Sequence, residues 1–168
     1  EREAQKAGDL KKGTTMRAIR SVGVVGFGTM GGGIAMAFAN AGIPAVVTDE
    51  TAEAVDRGLA RVRASYEESR AKGRITAEEA AARIDSIRGA ADYQALAAAD
   101  LVIEAVFEEM EIKRKVFAKL DEVCSERAIL ATNTSSLDVD AIAEETKDPS
   151  RVLGLHFFSP ANIMKLVE

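Results

Sequence analysis

Residues 22–40 read VGVVGFGTMGGGIAMAFAN, and this stretch decides the fold. The apolar run Val22–Val25 is typical of a buried strand in a parallel sheet. Residues Gly26–Gly31 then match G-x-G-x-x-G, which is common by chance but informative where it directly follows a strand and opens a helix. Apolar residues at helical spacing continue to Ala41, and Gly42 with Pro44 ends the helix. The stretch therefore predicts a strand, a glycine-rich turn and a helix, as at the start of a dinucleotide-binding unit.

The rest of the chain continues this alternation of strands and helices. Apolar runs predict further strands at Ala45–Thr48, Leu101–Val106, Ala128–Ala131 and Val152–Phe158, with a short one near Ile87. Glu104 interrupts the run Leu101–Val106, and a capping box at 76–79 opens an additional helix after the second strand's helix. The predicted order is βαβα, a helical insertion, then βαβαβ. This order predicts a doubly wound, mostly parallel α/β sheet of the Rossmann type with helices on both faces.

Each glycine of the turn has a predicted task. Gly26 makes the tight turn, Gly28 lets a pyrophosphate approach the backbone, and Gly31 lets the helix pack closely on the strand. The helix then begins at Thr29 and Met30, where free N–H groups and the positive end of the helix dipole favour phosphate. The turn is thus a predicted cofactor-binding site.

Asp49 predicts which dinucleotide is bound. It lies 18 residues beyond Gly31, at the end of the second strand, where a carboxylate accepts hydrogen bonds from the ribose hydroxyls. It would repel a 2'-phosphate, and Glu50 and Thr51 offer no arginine in its place. NAD is therefore favoured over NADP. The alternative is a plain glycine turn followed by an exposed aspartate.

Composition excludes several classes of partner. The 168 residues are 47% hydrophobic and carry a net charge of -5 with acids and bases interspersed, so no basic patch favours nucleic acid or an anionic membrane surface. No Cys/His cluster has metal-ligand spacing, so no metal site is predicted. Cys124 is the one cysteine and cannot form an internal disulfide, which fits a reducing, cytoplasmic compartment. Small molecules are the expected partners.

The apolar stretch Val24–Val47 has the length of a membrane-spanning helix, and Gly28 with Gly32 forms a GxxxG pair. Six glycines between 23 and 33 favour strand, turn and helix instead. Residues 1–20 are polar and predict a linker or leader, while 21–168 predict one domain. The chain lacks an initiator Met and ends directly after apolar residues, so we expect a fragment of a longer polypeptide.

Four motifs give the sequence a family resemblance: GFGTMGGGIA, VIEAVFEEMEIK, TNTSSL and HFFSPANIMKLVE. In this order they resemble the 3-hydroxyacyl-CoA dehydrogenase family over residues 21–168, and most closely the dehydrogenase part of multifunctional fatty-acid β-oxidation enzymes. The resemblance implies oxidation of an (S)-3-hydroxyacyl-CoA with NAD. It also implies a helical C-terminal domain that completes the acyl-CoA site and a dimer.

His156 is the only histidine, and a lone histidine near a strand end is often structural. Its predicted place, at the carboxyl end of the last strand, is where open α/β sheets bind ligands, and imidazole titrates near working pH. The resemblance implies that His156 is the catalytic acid/base, that Glu168 orients it, and that Ser135 bonds the substrate oxygen. Without it, Glu168 would be a solvated carboxylate and Ser135 part of a polar loop before a helix capped by Asp138.

The resemblance also places Glu108 and Lys113 at the nicotinamide side of the cofactor, with Glu104 as their neighbour. From the residues alone, Glu108 and Lys113 form a solvated charge run. The resemblance also makes Ser159 a predicted cofactor contact; it stands where many members have Asn, and serine keeps a donor and an acceptor but reaches less far. The helix after Thr51 shows no clear match to the family's CoA-contacting residues.

Two other functions fit parts of the sequence. A dehydrogenase of another small 3-hydroxy acid would share GFGTMG, would be expected to use a lysine base and would not need His156 with Glu168. A non-catalytic NAD-binding module would need only the glycine turn and Asp49. Sequence beyond Glu168 would distinguish them.

Overall fold

The sheet organises the molecule in the computed structural model, which describes residues 17–168. All six strands run parallel in the order β3-β2-β1-β4-β5-β6. The strands are β1 Val22–Val25, β2 Ala45–Thr48, β3 Ile87–Ala90, β4 Leu101–Glu104, β5 Ile129–Thr132 and β6 Val152–Gly154. The predicted doubly wound class is confirmed. Most of the predicted leader, residues 1–16, lies outside the described residues.

Helices cover both faces of this sheet. They are α1 Thr29–Asn40, α2 Ala52–Ala71, α3 Ala77–Asp85, α4 Met110–Val123 and α5 Val139–Ala143. One core cluster joins α1, α2 and α3 to the sheet through side chains such as Ile34, Val62 and Ala80. A second cluster, with Phe117 and Ile142, joins α4 and α5 to the opposite face.

Polar side chains fix where the helices begin. Thr76 and Glu79 form the predicted capping box at the start of α3, each side chain bonding the other's backbone N–H. The carboxylate of Asp138 accepts the N–H groups of Asp140 and Ala141, so this residue caps α5 as predicted.

Three predicted strand boundaries were wrong. The last strand ends at Gly154 rather than Phe158, because Phe157 leaves the sheet and forms an antiparallel bridge with Val167. The strand predicted to reach Val106 ends at Glu104, whose carboxylate takes the Val106 N–H. Glu104 is therefore the last residue of this strand, and the strand does not continue beyond it. The strand predicted at 128–131 is shifted by one residue, to 129–132.

The apolar stretch 24–47 does not form one helix. It divides into the end of β1, the glycine turn, α1 and most of β2. Between residues 17 and 168, we find no helix with the length and apolar character that a membrane crossing requires.

Candidate active site

The strand order places a crevice between β1 and β4. The chain leaves β1 toward one side of the sheet and β4 toward the other, so the loops that follow Val25 and Glu104 diverge at the carboxyl edge. Open α/β sheets bind ligands at such switch points. The predicted site residues come from segments that end at this edge.

The glycine turn fits a close approach of phosphate. Gly26 has φ +93°, which favours glycine, and its N–H donates to the Thr48 carbonyl at 2.8 Å. A Cβ on Gly31 would lie 1.7 Å from the Gly26 carbonyl oxygen, so α1 packs against the turn more closely than a side chain allows. A Cβ on Gly28 would meet nothing within 4 Å and would project into the open cleft.

The N-terminus of α1 is open to an anion. Gly28 is the N-cap and Thr29 begins the helix, with no acidic residue in its first turn. Among residues 17–168, no side chain caps this end, so the first N–H groups remain for a ligand. Thr29 and Gly31 line neither of the two clefts described below; Thr29 borders a small groove beside α2.

Asp49 lies directly after β2 and supports the glycine turn. One carboxylate oxygen accepts the Phe27 N–H at 2.7 Å and the other accepts the Glu50 N–H at 2.8 Å. Each oxygen retains a lone pair for a ribose hydroxyl. A cleft of about 270 Å³ opens beside it, with Tyr93 and Phe107 among its lining residues.

A second cleft, of about 340 Å³, opens on the other side of the loop that follows β4. The two clefts share Ala105 and Val106 in their walls. Six predicted site residues line the second cleft: Met30, Glu108, Lys113, Ser135, His156 and Ser159. One cleft therefore holds the carboxylate predicted for ribose, and the other holds His156 and Ser135 of the three predicted catalytic residues.

His156 and Glu168 meet beside the second cleft. Their backbones pair reciprocally, with N–H to carbonyl distances of 2.7 and 3.0 Å. His156 Nδ1 lies 3.8 Å from Glu168 Oε2, and the side chains are 32% and 65% exposed. The Phe158 ring packs against the imidazole, with centroids 4.7 Å apart. Residues twelve positions apart thus form the predicted pair, although His156 follows β6 by two residues instead of ending it.

A buried ion pair lies beneath the same cleft. The Lys113 ammonium donates to both carboxylate oxygens of Glu104, at 2.8 and 3.0 Å, and the two side chains are 1% and 0% exposed. It also lies 3.2 Å from Glu108 Oε2. Lys113 is therefore not the solvated charge that the residues alone would allow, and its partner Glu104 is buried with it.

Glu108 connects this pair to Ser135. Its second oxygen accepts the Ser135 N–H at 3.0 Å and the Thr134 hydroxyl. Partial burial alone would raise the pKa of Glu108, but the hydrogen bonds from Thr134 and Ser135 and the Lys113 ammonium outweigh it and lower that pKa. Glu108 is therefore an anion at neutral pH.

Sequence reasoning missed several residues of the site. Tyr93 and Phe107 line the first cleft. Phe107 lies within the quoted VIEAVFEEMEIK motif, whereas Tyr93 lies in none of the four motifs. Asn133 accepts the Phe157 N–H at 2.9 Å through its side-chain oxygen, which fixes the chain next to His156. Asn133 lies within the quoted TNTSSL motif, so its place in that motif was the available signal.

A model of the protein family described as 3-hydroxyacyl-CoA dehydrogenase, NAD binding domain, matches residues 21–168. The chain belongs to this family. It is 46% identical over 150 residues to the 3-hydroxyadipyl-CoA dehydrogenase of Escherichia coli, and 42% identical over 172 residues to the human peroxisomal bifunctional enzyme. Among solved structures, it is similar to an (S)-3-hydroxybutyryl-CoA dehydrogenase from Ralstonia eutropha, with a TM-score of 0.87 and 39% identity.

Family members of this kind are longer than the chain. The E. coli match covers 89% of the chain but 32% of that relative, and the human match covers 100% and 24%. The R. eutropha match covers 89% of the chain and 53% of that structure. Activity, substrate and partners of the whole protein therefore go beyond what this domain shows.

The family's cofactor is NAD, as predicted from Asp49 and the glycine turn. The residues present fit it. Gly28 leaves the cleft open where a side chain would fill it, the first turn of α1 has free N–H groups, and Asp49 provides the acceptor for the ribose.

Proposed function

We propose that this domain serves an enzyme that interconverts (S)-3-hydroxyacyl-CoA and 3-oxoacyl-CoA in fatty-acid β-oxidation. The observation that carries the proposal is the His156–Glu168 pair at the cleft beside the glycine turn. A cofactor domain alone would need no such pair. The names of the relatives support the same chemistry: a 3-hydroxyadipyl-CoA dehydrogenase, an (S)-3-hydroxybutyryl-CoA dehydrogenase and a peroxisomal bifunctional enzyme.

His156 is proposed as the acid/base. Oxidation of a secondary alcohol requires a base for the hydroxyl proton, and imidazole can accept that proton near neutral pH and return it in the reverse direction. When bound, NAD supplies the acceptor for the hydride. The imidazole is one-third exposed, so a substrate hydroxyl can reach it from the cleft.

Glu168 is proposed to orient the imidazole and to stabilise its charged form. At 3.8 Å from Nδ1, its carboxylate makes an ion pair when His156 is protonated, and Nε2 remains for the substrate. The backbone bridge between the two residues holds them at this separation. Glu168 therefore acts through His156.

Ser135 is proposed to bond the substrate oxygen. It lines the same cleft as His156, and its backbone is anchored to Glu108. The Ser135 hydroxyl is exposed and can donate to a hydroxyl or keto oxygen. Met30 and Ser159 line the cleft and are proposed cofactor contacts.

A dehydrogenase that uses a lysine base fits this geometry less well. Lys113 lines the cleft, but its ammonium is held by Glu104 and Glu108. A non-catalytic NAD-binding module would leave the His156–Glu168 pair without a task.

The acyl-CoA partner and the whole protein's assembly are part of the proposal. The chain spans a third or less of the curated relatives described above, which supports a multidomain parent protein. The apolar side chains of Ile163, Met164 and Leu166 are exposed and available for packing against another domain. We further propose a reducing, cytoplasmic compartment, supported by the free, buried thiol of Cys124.

The test is a substrate comparison in the longest natural polypeptide that contains this chain. We expect NADH to form from NAD with (S)-3-hydroxybutyryl-CoA, and not with free 3-hydroxybutyrate. Activity on the free acid alone would favour the small-acid dehydrogenase. If NADH binds normally but neither substrate reacts, the non-catalytic module is favoured.

A further inference from the structure

Glu104 is a fully buried carboxylate that the proposed reaction does not use. Its residue lies at the carboxyl end of β4, directly opposite Val25 of β1 and Thr132 of β5 in the sheet register. At 0% exposure it contacts no solvent. A buried acid at the core of a site requires a reason beyond fold stability.

Three groups donate hydrogen bonds to the two carboxylate oxygens of Glu104. One accepts the Val106 N–H at 2.7 Å, and the other accepts the Thr132 hydroxyl at 2.7 Å. Both also accept from the Lys113 ammonium. The carboxylate therefore joins β4, β5 and α4 through four hydrogen bonds.

The Lys113 ammonium connects Glu104 to Glu108, which lines the cleft. Its three protons face three carboxylate oxygens, two on Glu104 and one on Glu108 at 3.2 Å. Glu104 fixes the position of the Lys113 ammonium, and the ammonium in turn fixes the position of the Glu108 carboxylate. Glu108 then accepts the Ser135 N–H at 3.0 Å and the Thr134 hydroxyl.

Stability alone is a weak reason for this arrangement. Two ions lose their hydration when buried, and replacing a buried pair by neutral side chains of similar volume is often harmless to folding. A neutral pair, however, could not hold the Glu108 carboxylate, which needs a cation directed at it. What the Glu104–Lys113 pair provides, and a neutral pair would not, is a positive charge held next to the Glu108 carboxylate.

We infer that Glu104 is a positioning residue for the substrate side of the site: through Lys113 and Glu108 it holds the Ser135 backbone in place. The role of Ser135 in binding substrate rests on the proposed function. The chain of contacts from Glu104 through Lys113 and Glu108 to Ser135 is independent of the proposed function. The inference can therefore be tested with and without substrate.

Two variants test it, each in the full polypeptide that contains this chain. Glu104→Gln keeps the side chain's shape, an acceptor for Val106 and a hydrogen bond to Thr132, but removes the charge that fixes Lys113. The double variant Glu104→Gln/Lys113→Met removes both charges and guards against a folding failure caused by an unpaired buried cation. The matched control is Glu122→Gln/Lys119→Met, the same change in an exposed ion pair on α4.

The first readout is backbone hydrogen exchange of the Ser135 amide. We expect exchange to be about tenfold faster in both variants, as for loss of a hydrogen bond to a charged acceptor, and unchanged in the control. Exchange in the β1 and β4 amides should stay protected, which shows that the sheet remains folded. Normal exchange at Ser135 in folded variants would overturn the inference.

The second readout separates KM from kcat for (S)-3-hydroxybutyryl-CoA. In Glu104→Gln we expect a higher KM for the thioester and a lower kcat. Unchanged kinetic constants despite faster Ser135 exchange would overturn the positioning role. If the wild-type protein has no activity but Ser135 exchange rises as expected, the proposed function fails while the contacts from Glu104 to Ser135 are supported.

Discussion

At the residue scale, Asp49 combines two tasks in one carboxylate. It holds the glycine turn through the Phe27 N–H and presents its remaining lone pairs to the cleft. We expect Asp49→Asn to lower NADH affinity by about tenfold, because a neutral amide is a weaker acceptor for the ribose hydroxyls. The preference for NADH over NADPH should shrink, since the repulsion of a 2'-phosphate is gone. Fluorescence titration with both cofactors measures this, and equal wild-type affinity for the two would contradict the role of Asp49.

Two neighbouring glycines should respond in opposite ways to an added side chain. Gly28→Val should abolish NADH binding but leave the melting temperature near the wild-type value, because its Cβ meets no protein atom within 4 Å. Gly31→Ala should unfold more easily, because its Cβ would collide with the Gly26 carbonyl. Thermal melts and NADH titration distinguish the two effects. Normal NADH binding by Gly28→Val would show that phosphate binds elsewhere.

At the scale of elements, Asp121 ties the end of α4 to the turn before β6. Its carboxylate accepts from Arg151 at 2.6 Å and from the Lys147 N–H at 3.2 Å, and its side chain is 7% exposed. Burial alone would raise the pKa of Asp121, but the bonds from Arg151 and Lys147 outweigh it and lower that pKa. The stabilisation is therefore complete above the ordinary Asp pKa of about 4, and it is lost as the pH falls through the pKa of folded Asp121.

Asp121→Asn should accordingly destabilise the protein at neutral pH. We expect a loss of about 1–3 kcal/mol in the free energy of unfolding at pH 7, because a charged hydrogen bond becomes neutral in a nearly buried place. The difference from wild type should shrink below pH 4. Urea denaturation at several pH values measures it, with the exposed Glu122→Gln as the control. A loss that is constant from pH 7 to pH 3 would contradict the ionic origin.

The elements were predictable because their signals are local. Apolar runs, the capping box at Thr76 and the glycine turn each act over a few residues, and all the strands were located to within a few positions. The wrong ends had causes that a run of apolar residues does not show. The last strand stops early because Val167 pairs with Phe157, and β4 ends where its own Glu104 takes the Val106 N–H. Neither of these two contacts produces a repeating pattern of apolar residues in the sequence.

At the scale of the whole molecule, the site is assembled from segments far apart in the chain. The glycine turn, the loop after β4, the TNTSSL loop and the residues after β6 meet at one edge of the sheet. The parallel topology explains this, since all the strands end there. A family resemblance could indicate His156, Glu168 and Ser135, but not the buried connection from Glu104 to Ser135, which depends on the register between β4 and β5.

The domain alone should bind NADH and show little dehydrogenase activity. It provides one wall of the proposed site, and correct positioning of substrate is worth up to ~7 to 11 kcal/mol of the barrier. The proposed role of His156 is tested most directly in the longest natural polypeptide that contains the chain, by comparing (S)-3-hydroxybutyryl-CoA oxidation in wild type, His156→Ala and Glu168→Gln. We predict that His156→Ala lowers kcat by roughly 100-fold or more with NADH binding intact, and that Glu168→Gln mainly lowers kcat. Turnover that is indifferent to His156→Ala would contradict the assignment of this residue as the acid/base.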